Sequence, residues 1–298
     1  MPIPSPRALP ASYRLCGGQR KIAFVLVLLL VSALLGLGAG PRRAAASGAT
    51  AGAGESIYAR WQQVLAAYVD DEGLVDYAGL KERGSDDLKA FMDTLAQTDP
   101  AAFSTDAERM AFWINAYNAV VVWQALERYP IDSVRDVGAL WGLVGGFFKN
   151  KYPIAGTQMS ADNIEHDTLR AKFKDARIHW ALVCGAFGCP RLLNRPYLPE
   201  TLEQQLAEQT HEFLRQPRAL QLDRDTGTLY LSSYFKWYEG DFQADSGTVV
   251  DYVLGTAPDE VVTYIEANRD GLRVRIMDYD WALNDQRKGP RARRPIPR

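Results

Sequence analysis

Side chains able to do chemistry crowd into one stretch of this 298-residue chain, residues 160–190 (SADNIEHDTLRAKFKDARIHWALVCGAFGCP). It holds His166 and His179, two of the three histidines, and both cysteines outside the first twenty residues, Cys184 and Cys189. Three chemistries suit these residue types. In the first, Cys184 is a nucleophile with His166 as its base, since a neighbouring imidazole lowers a thiol's pKa from about 8.5 toward neutrality. A carboxylate or amide must then hold the imidazole in one tautomer, and Glu165, Asp162, Asn115 or Asn118 could do so. An amide-bond hydrolase or acyltransferase is the leading class of such thiol enzymes. In the second, Cys184 and Cys189 form a disulfide: four residues separate them, two of them glycine, so their α-carbons can approach to within roughly 4.4–6.8 Å. Neighbouring cysteines usually pair in an oxidising compartment. In the third, His166, His179, Cys184 and Cys189 ligate zinc, but their spacing matches no known finger. No metal or other cofactor is expected.

The elements that must position these groups follow from hydrophobic periodicity. Residues 162–170 read as a short helix that Ser160 can cap, placing Asp162, His166 and Arg170 on one face. Residues 178–184 are β-branched and aromatic, and read as a buried strand running into the glycine loop 185–188. That puts Cys184 at a strand's carboxyl end, where α/β folds commonly keep their chemistry, and points His179 to the opposite face. Residues 106–129 form the longest helical run, apolar nearly all round and therefore central. Asn115 and Asn118 share one face of it, and buried amides there must hold a loop backbone or a side chain of the site.

Around these lie amphipathic helices at 57–69, 86–97, 200–214, 248–254 and 259–267, and an extended piece, GLVDYAGL. Strands are expected at 147–154 and 157–159, joined at Gly156, and at 220–222, 229–232 and 272–277. The aromatic segment SYFKWYEGDF reads as a lid over one end of the core. Gly142, Gly145 and Gly146 match no nucleotide-binding fingerprint. The fold class is α/β or α+β: a single domain of interleaved helices and short strands around a central apolar helix.

The chain's ends differ in kind. Residues 1–46 contain no Asp or Glu, carry Arg14, Arg20 and Lys21, run apolar over 22–37 and reach Ala44-Ala45-Ala46, the pattern of a cleaved export signal or a retained N-terminal anchor. A small-residue spacer occupies 47–56, the globular domain 57–285, and a basic, Pro-rich, solvated tail 286–298. Without the six basic side chains of residues 1–46, the remainder carries 28 Lys+Arg against 36 Asp+Glu, a formal charge of −8. An acidic surface without a basic stripe argues against nucleic acid as a partner. The expected location is the periplasm or cell envelope. The expected partner is a small molecule, a peptide or an envelope substrate, with membrane contact only through an uncleaved N-terminal segment.

Four motifs, FWINAYN (112–118), IEHDTLR (164–170), HWALVCGAFGCPRL (179–192) and YDWALN (279–284), resemble the domain-of-unknown-function family 547 in their order along the chain. The resemblance brings no activity with it. It implies that Asn115, Asn118, Glu165, His166, Cys184, Cys189 and Pro190 form the shared pattern, and Arg170 lies within the second motif. Two functions follow: an exported, Cys/His-centred thiol hydrolase or acyltransferase with Cys184, His166, Glu165 and Asn115 catalytic and Asn118, Cys189, Arg170 and Asp162 binding; or a non-catalytic envelope binding module closed by a Cys184–Cys189 disulfide.

Overall fold

The computed structural model describes residues 56–137 and 146–289. The expected export signal, nearly all of the spacer, Gly142, Gly145 and most of the basic tail lie outside the described residues. The fold is α+β: helices predominate, and the strands form two small sheets.

Helix α1 (Ala59–Tyr68) packs on α2 (Ser85–Gln97), with the Trp61 and Phe91 rings stacked 5.5 Å apart. The central helix α3 (Asp106–Arg128) starts at a reciprocal cap: the Glu108 amide donates to Thr105 Oγ1, and the Thr105 amide donates to the Glu108 carboxylate. Its residues from Met110 to Val122 are all buried, because neighbours surround it on every side. Strands β1 (Lys151–Ile154) and β2 (Thr157–Ser160) form an antiparallel hairpin. Ala155 and Gly156 turn it with positive φ, and their amides donate to Leu95 and Ala96 carbonyls at the otherwise open end of α2.

Helix α4 (Asn163–Arg170) is wound in wide π turns, a form that recurs at functional sites. Helix α5 (Leu202–Leu214) follows a long connection. The second sheet has strand order β3 (Leu220–Asp223), β4 (Thr228–Leu231) and β5 (Arg273–Ile276), antiparallel between β3 and β4 and parallel between β4 and β5. Between β4 and β5 run a short helix Tyr234–Trp237, then α6 (Glu239–Ser246), α7 (Val249–Thr256) and α8 (Asp259–Asn268). The buried side chains form two clusters. One surrounds α3, and the other gathers around Trp180, Phe235, Phe242 and Tyr252 beside the second sheet; Tyr279 packs against both.

Three expectations need correction. The predicted strand 178–184 is a single helical turn, Ile178–Ala181, followed by extended chain; Asp175 starts the turn by accepting the Arg177 amide on its side chain and the Ile178 amide on its carbonyl. GLVDYAGL makes only isolated bridges at Val75 and then turns helical at Tyr77–Gly79. The first hairpin strand is shorter than expected, because Gly146–Lys149 coils before it.

Candidate functional site

The two buried amides of α3 each clamp a loop. Asn118 Nδ2 donates to the Ala181 carbonyl at 3.0 Å, and its Oδ1 accepts the Val183 amide at 2.9 Å, so one side chain replaces a rung of backbone pairing just before Cys184. Asn115 does the same to Tyr197, donating to its carbonyl at 2.7 Å and accepting its amide at 3.0 Å. Both asparagines are thus buried positioning groups in this structure.

Cys184 and Cys189 are joined as a disulfide with α-carbons 6.2 Å apart. Cys184 is half-buried, whereas Cys189 is only 1% exposed. The loop between them lies along the closing segment 280–284: the Phe187 amide donates to the Ala282 carbonyl, the Gly188 amide to Asp280, and the Asn284 amide to Gly185. Gly185 takes a left-handed φ of +77°, and a β-carbon on Gly188 would meet the Tyr279 ring at 2.7 Å, so both glycines are required for this close approach. The Tyr279 hydroxyl lies 3.0 Å from each sulfur, the Cys184 amide donates to Cys189 Sγ at 3.1 Å, and the Tyr234 hydroxyl sits 3.9 Å from Cys184 Sγ.

His166 is engaged elsewhere. Its Nδ1 lies 2.7 Å from an Arg170 guanidinium nitrogen and its Nε2 3.6 Å from Asp162, on the exposed side of α4. Neither sulfur is among its partners. A second, buried imidazole anchors the site. His179 Nε2 lies 2.7 Å from Asp241 Oδ2, and Arg170 grips the same carboxylate with two bonds, of 2.6 and 3.0 Å. The His179 ring stacks on Tyr238 at 3.9 Å between centroids, with the Arg170 guanidinium over the same tyrosine. The hydrogen bond from His179, then that from Arg170, hold the Asp241 carboxyl well below its usual range. Burial pushes His179 below its ordinary value despite Asp241, so the neutral ring donates from Nε2.

Glu165 is 6% exposed, and its Oε1 has no hydrogen-bond partner among the described residues. Burial first, and the Glu165 carboxylate second, push the Tyr117 and Tyr238 hydroxyls well above their usual range. A rim of rings flanks the disulfide: Trp237, 44% exposed, lies 4.8 Å from Tyr279 and 5.5 Å from Trp281. Among the described residues no group of three His, Cys, Asp or Glu side chains could hold a metal ion.

The structure therefore sets Glu165, Arg170 and His179 around Asp241 and Tyr238, sets Cys184 and Cys189 against Tyr279, and leaves His166 and Asp162 on a surface face. Sequence reading named His179 only as a zinc candidate and overlooked Asp241, Tyr234, Tyr238 and Tyr279 as site groups. The segment SYFKWYEGDF supplies Tyr234, Tyr238 and Asp241, and Tyr279 opens the motif YDWALN.

Residues 101–214 match the family model described as "Protein of unknown function, DUF547". The match takes in α3, α4 and the disulfide loop, and stops short of Tyr234, Asp241 and Tyr279. No curated protein matches the chain, and no solved structure matches it.

Proposed function

We propose that this DUF547 domain-containing protein is exported and works as a non-catalytic binding module of the cell envelope, with the Cys184–Cys189 bond closing the loop that walls its ligand pocket. The observation that carries this reading is the state of the two sulfurs: they are bonded to each other, share the Tyr279 hydroxyl, and have no histidine partner. A catalytic thiol needs the opposite, a free sulfur beside a base. Export is supported by the charge and hydrophobicity pattern of residues 1–46, and agrees with a disulfide, which persists in oxidising compartments.

Thiol titration of protein purified from the oxidising compartment tests the reading. The expected result is two sulfurs that become titratable only after reduction. A single thiol alkylated quickly near neutral pH in untreated protein would sink it in favour of the enzyme.

One observation favours that second reading, a thiol-dependent hydrolase or acyltransferase acting on amide bonds. On reduction the half-buried Cys184 becomes the reachable sulfur, with hydroxyl donors from Tyr279 and Tyr234 beside it. In Cys189→Ser protein, alkylation of Cys184 well below pH 8.5 that slows greatly in His166→Ala or His179→Ala would establish the thiol–imidazole pairing. A free-thiol profile insensitive to both histidines would remove it.

A further inference from the structure

We propose that Arg218 is the anion-binding residue of this pocket and that the ligand carries a carboxylate. The proposal rests on the binding reading above and names the ligand's chemical class.

Strand pairing places Arg218. Leu220 pairs with Leu231 across the antiparallel edge, and Leu231 pairs with Ile276 across the parallel one. The start of β3, the end of β4 and the end of β5 therefore lie at one end of the sheet. The Ser232 amide donates to the Ala219 carbonyl, and Ser233 Oγ donates to the Met277 carbonyl at 2.9 Å, which stitches this end together. Arg218 stands just before β3, Tyr234 follows β4 and Tyr279 follows β5. The two tyrosine hydroxyls are those that reach the disulfide.

The Arg218 side chain has no hydrogen bond or ion pair among the described residues, and its Nε is buried without an acceptor. Burial pushes the guanidinium below its ordinary value; Tyr279, Glu72 and Tyr234 oppose this from nearby, and Arg191 adds to it. A half-buried cation left in this condition is costly. Its five N–H donors form a planar fork that matches a carboxylate in two parallel bonds. The Tyr234 hydroxyl, held protonated by burial, can donate to the same anion, while the single proton of Tyr279 faces the disulfide sulfurs. A single negative charge suits the site better than a phosphate dianion. The nearby cation, Arg191, is already committed to Glu212, to Gln209 and to the Asp71 carbonyl, and Glu72 adds a negative charge of its own. The exposed Trp237 beside Tyr279 offers a face for the ligand's apolar part.

The probes are N-acetylglycine, its neutral analogue N-acetylglycinamide and inorganic phosphate, titrated into the purified protein. Readouts are tryptophan fluorescence and the nitrogen-15 NMR signal of the Arg218 Nε–H. Saturable binding of N-acetylglycine with a shift of that signal is expected, and no comparable response to the amide. Arg218→Met should weaken N-acetylglycine binding by roughly tenfold or more. Its melting temperature should be no lower than the parent's, because an unpaired half-buried cation is removed. A melting temperature well below the parent's, with no carboxylate-induced shift, would make Arg218 a structural group satisfied by water and overturn the proposal. Equal binding of amide and carboxylate, unchanged in Arg218→Met, overturns the anion site while leaving the binding module standing. Tighter binding of phosphate than of N-acetylglycine overturns the carboxylate assignment. Absence of any saturable response to N-acetylglycine overturns it too. Failure of the binding module itself is read separately, as the fast-reacting thiol described above.

Discussion

Asn118 shows how one buried amide can set a site. Its two bonds, to the Ala181 carbonyl and the Val183 amide, fix the three residues that lead into Cys184. Asn118→Ala leaves both backbone groups buried and unpaired, which should lower stability by about 1–3 kcal/mol in urea unfolding. The same variant should let a dithiol reduce the Cys184–Cys189 bond faster, because the strut before Cys184 is gone. An unchanged reduction rate would separate the amide from the site. His179 makes a different prediction. Burial holds its ring neutral below its ordinary 6.5, so as pH falls through that value the unfolded chain takes up protons that the folded chain refuses. Stability contributed by the neutral ring is therefore lost on acidification from about 6.5 downward. Asp241 acts in the same direction further down: its depressed pKa stabilises the fold above 3.8, and that contribution disappears as pH falls from there. In His179→Gln, which keeps a donor for Asp241, the decline of the melting temperature as pH falls below about 6.5 should flatten relative to the parent. Parallel curves would show that His179 does not supply that slope.

Among the elements, the long helix α3 was fully legible, because an apolar pattern repeated over six turns outweighs local ambiguity, and its two asparagines stood out against it. The turn at Ile178–Ala181 was not. A short apolar run buried on all sides has no periodicity to read, and its β-branched and aromatic content favoured a strand. What decided the matter was Asp175, whose side chain and carbonyl start a helical turn. That error also cost the placement of His179, since strand alternation sent it away from the cysteines. Asp241 was out of reach for another reason: it meets His179 across 62 residues, and no local pattern encodes that distance. The disulfide loop carries the prediction at this scale. Closing so short a loop stabilises by about 2 kcal/mol in the chain-entropy account. Most of the loop's geometry comes instead from its three backbone bonds to residues 280–284 and from Gly188 beneath the Tyr279 ring. Gly188→Ala, which sets a methyl group against that ring, should therefore destabilise by about 1–3 kcal/mol even in the reduced protein. A melt identical to the parent's under reducing conditions would show that the Tyr279 ring yields freely.

At the scale of the whole molecule, two buried clusters share one domain, and Tyr279 belongs to the margin of both. Its ring contacts Tyr234 and Trp237 from the one short helix Tyr234–Trp237 and Trp281 from the closing segment, while its hydroxyl reaches both sulfurs. The closing segment itself returns to the α3 cluster: Leu283 bridges to Ala186, and the Asn284 carbonyl accepts the Val75 amide. The chain after β5 is thus the strap by which the second sheet is tied to the first cluster, with Tyr279 as its contact residue. Truncating this partly buried ring in Tyr279→Ala should cost about 2–3 kcal/mol, less than for a fully buried aromatic. Tyr279→Phe, which keeps the ring and removes only the hydroxyl, should cost about 1 kcal/mol. Amide hydrogen exchange distinguishes a strap from a local contact. If Tyr279 couples the clusters, Tyr279→Ala lowers protection in α3 and in α7 together, because both open in one cooperative unit. Loss of protection confined to α7 and the second sheet would show that the clusters are stabilised independently, and that the site between the disulfide and Tyr234 can open without unfolding α3.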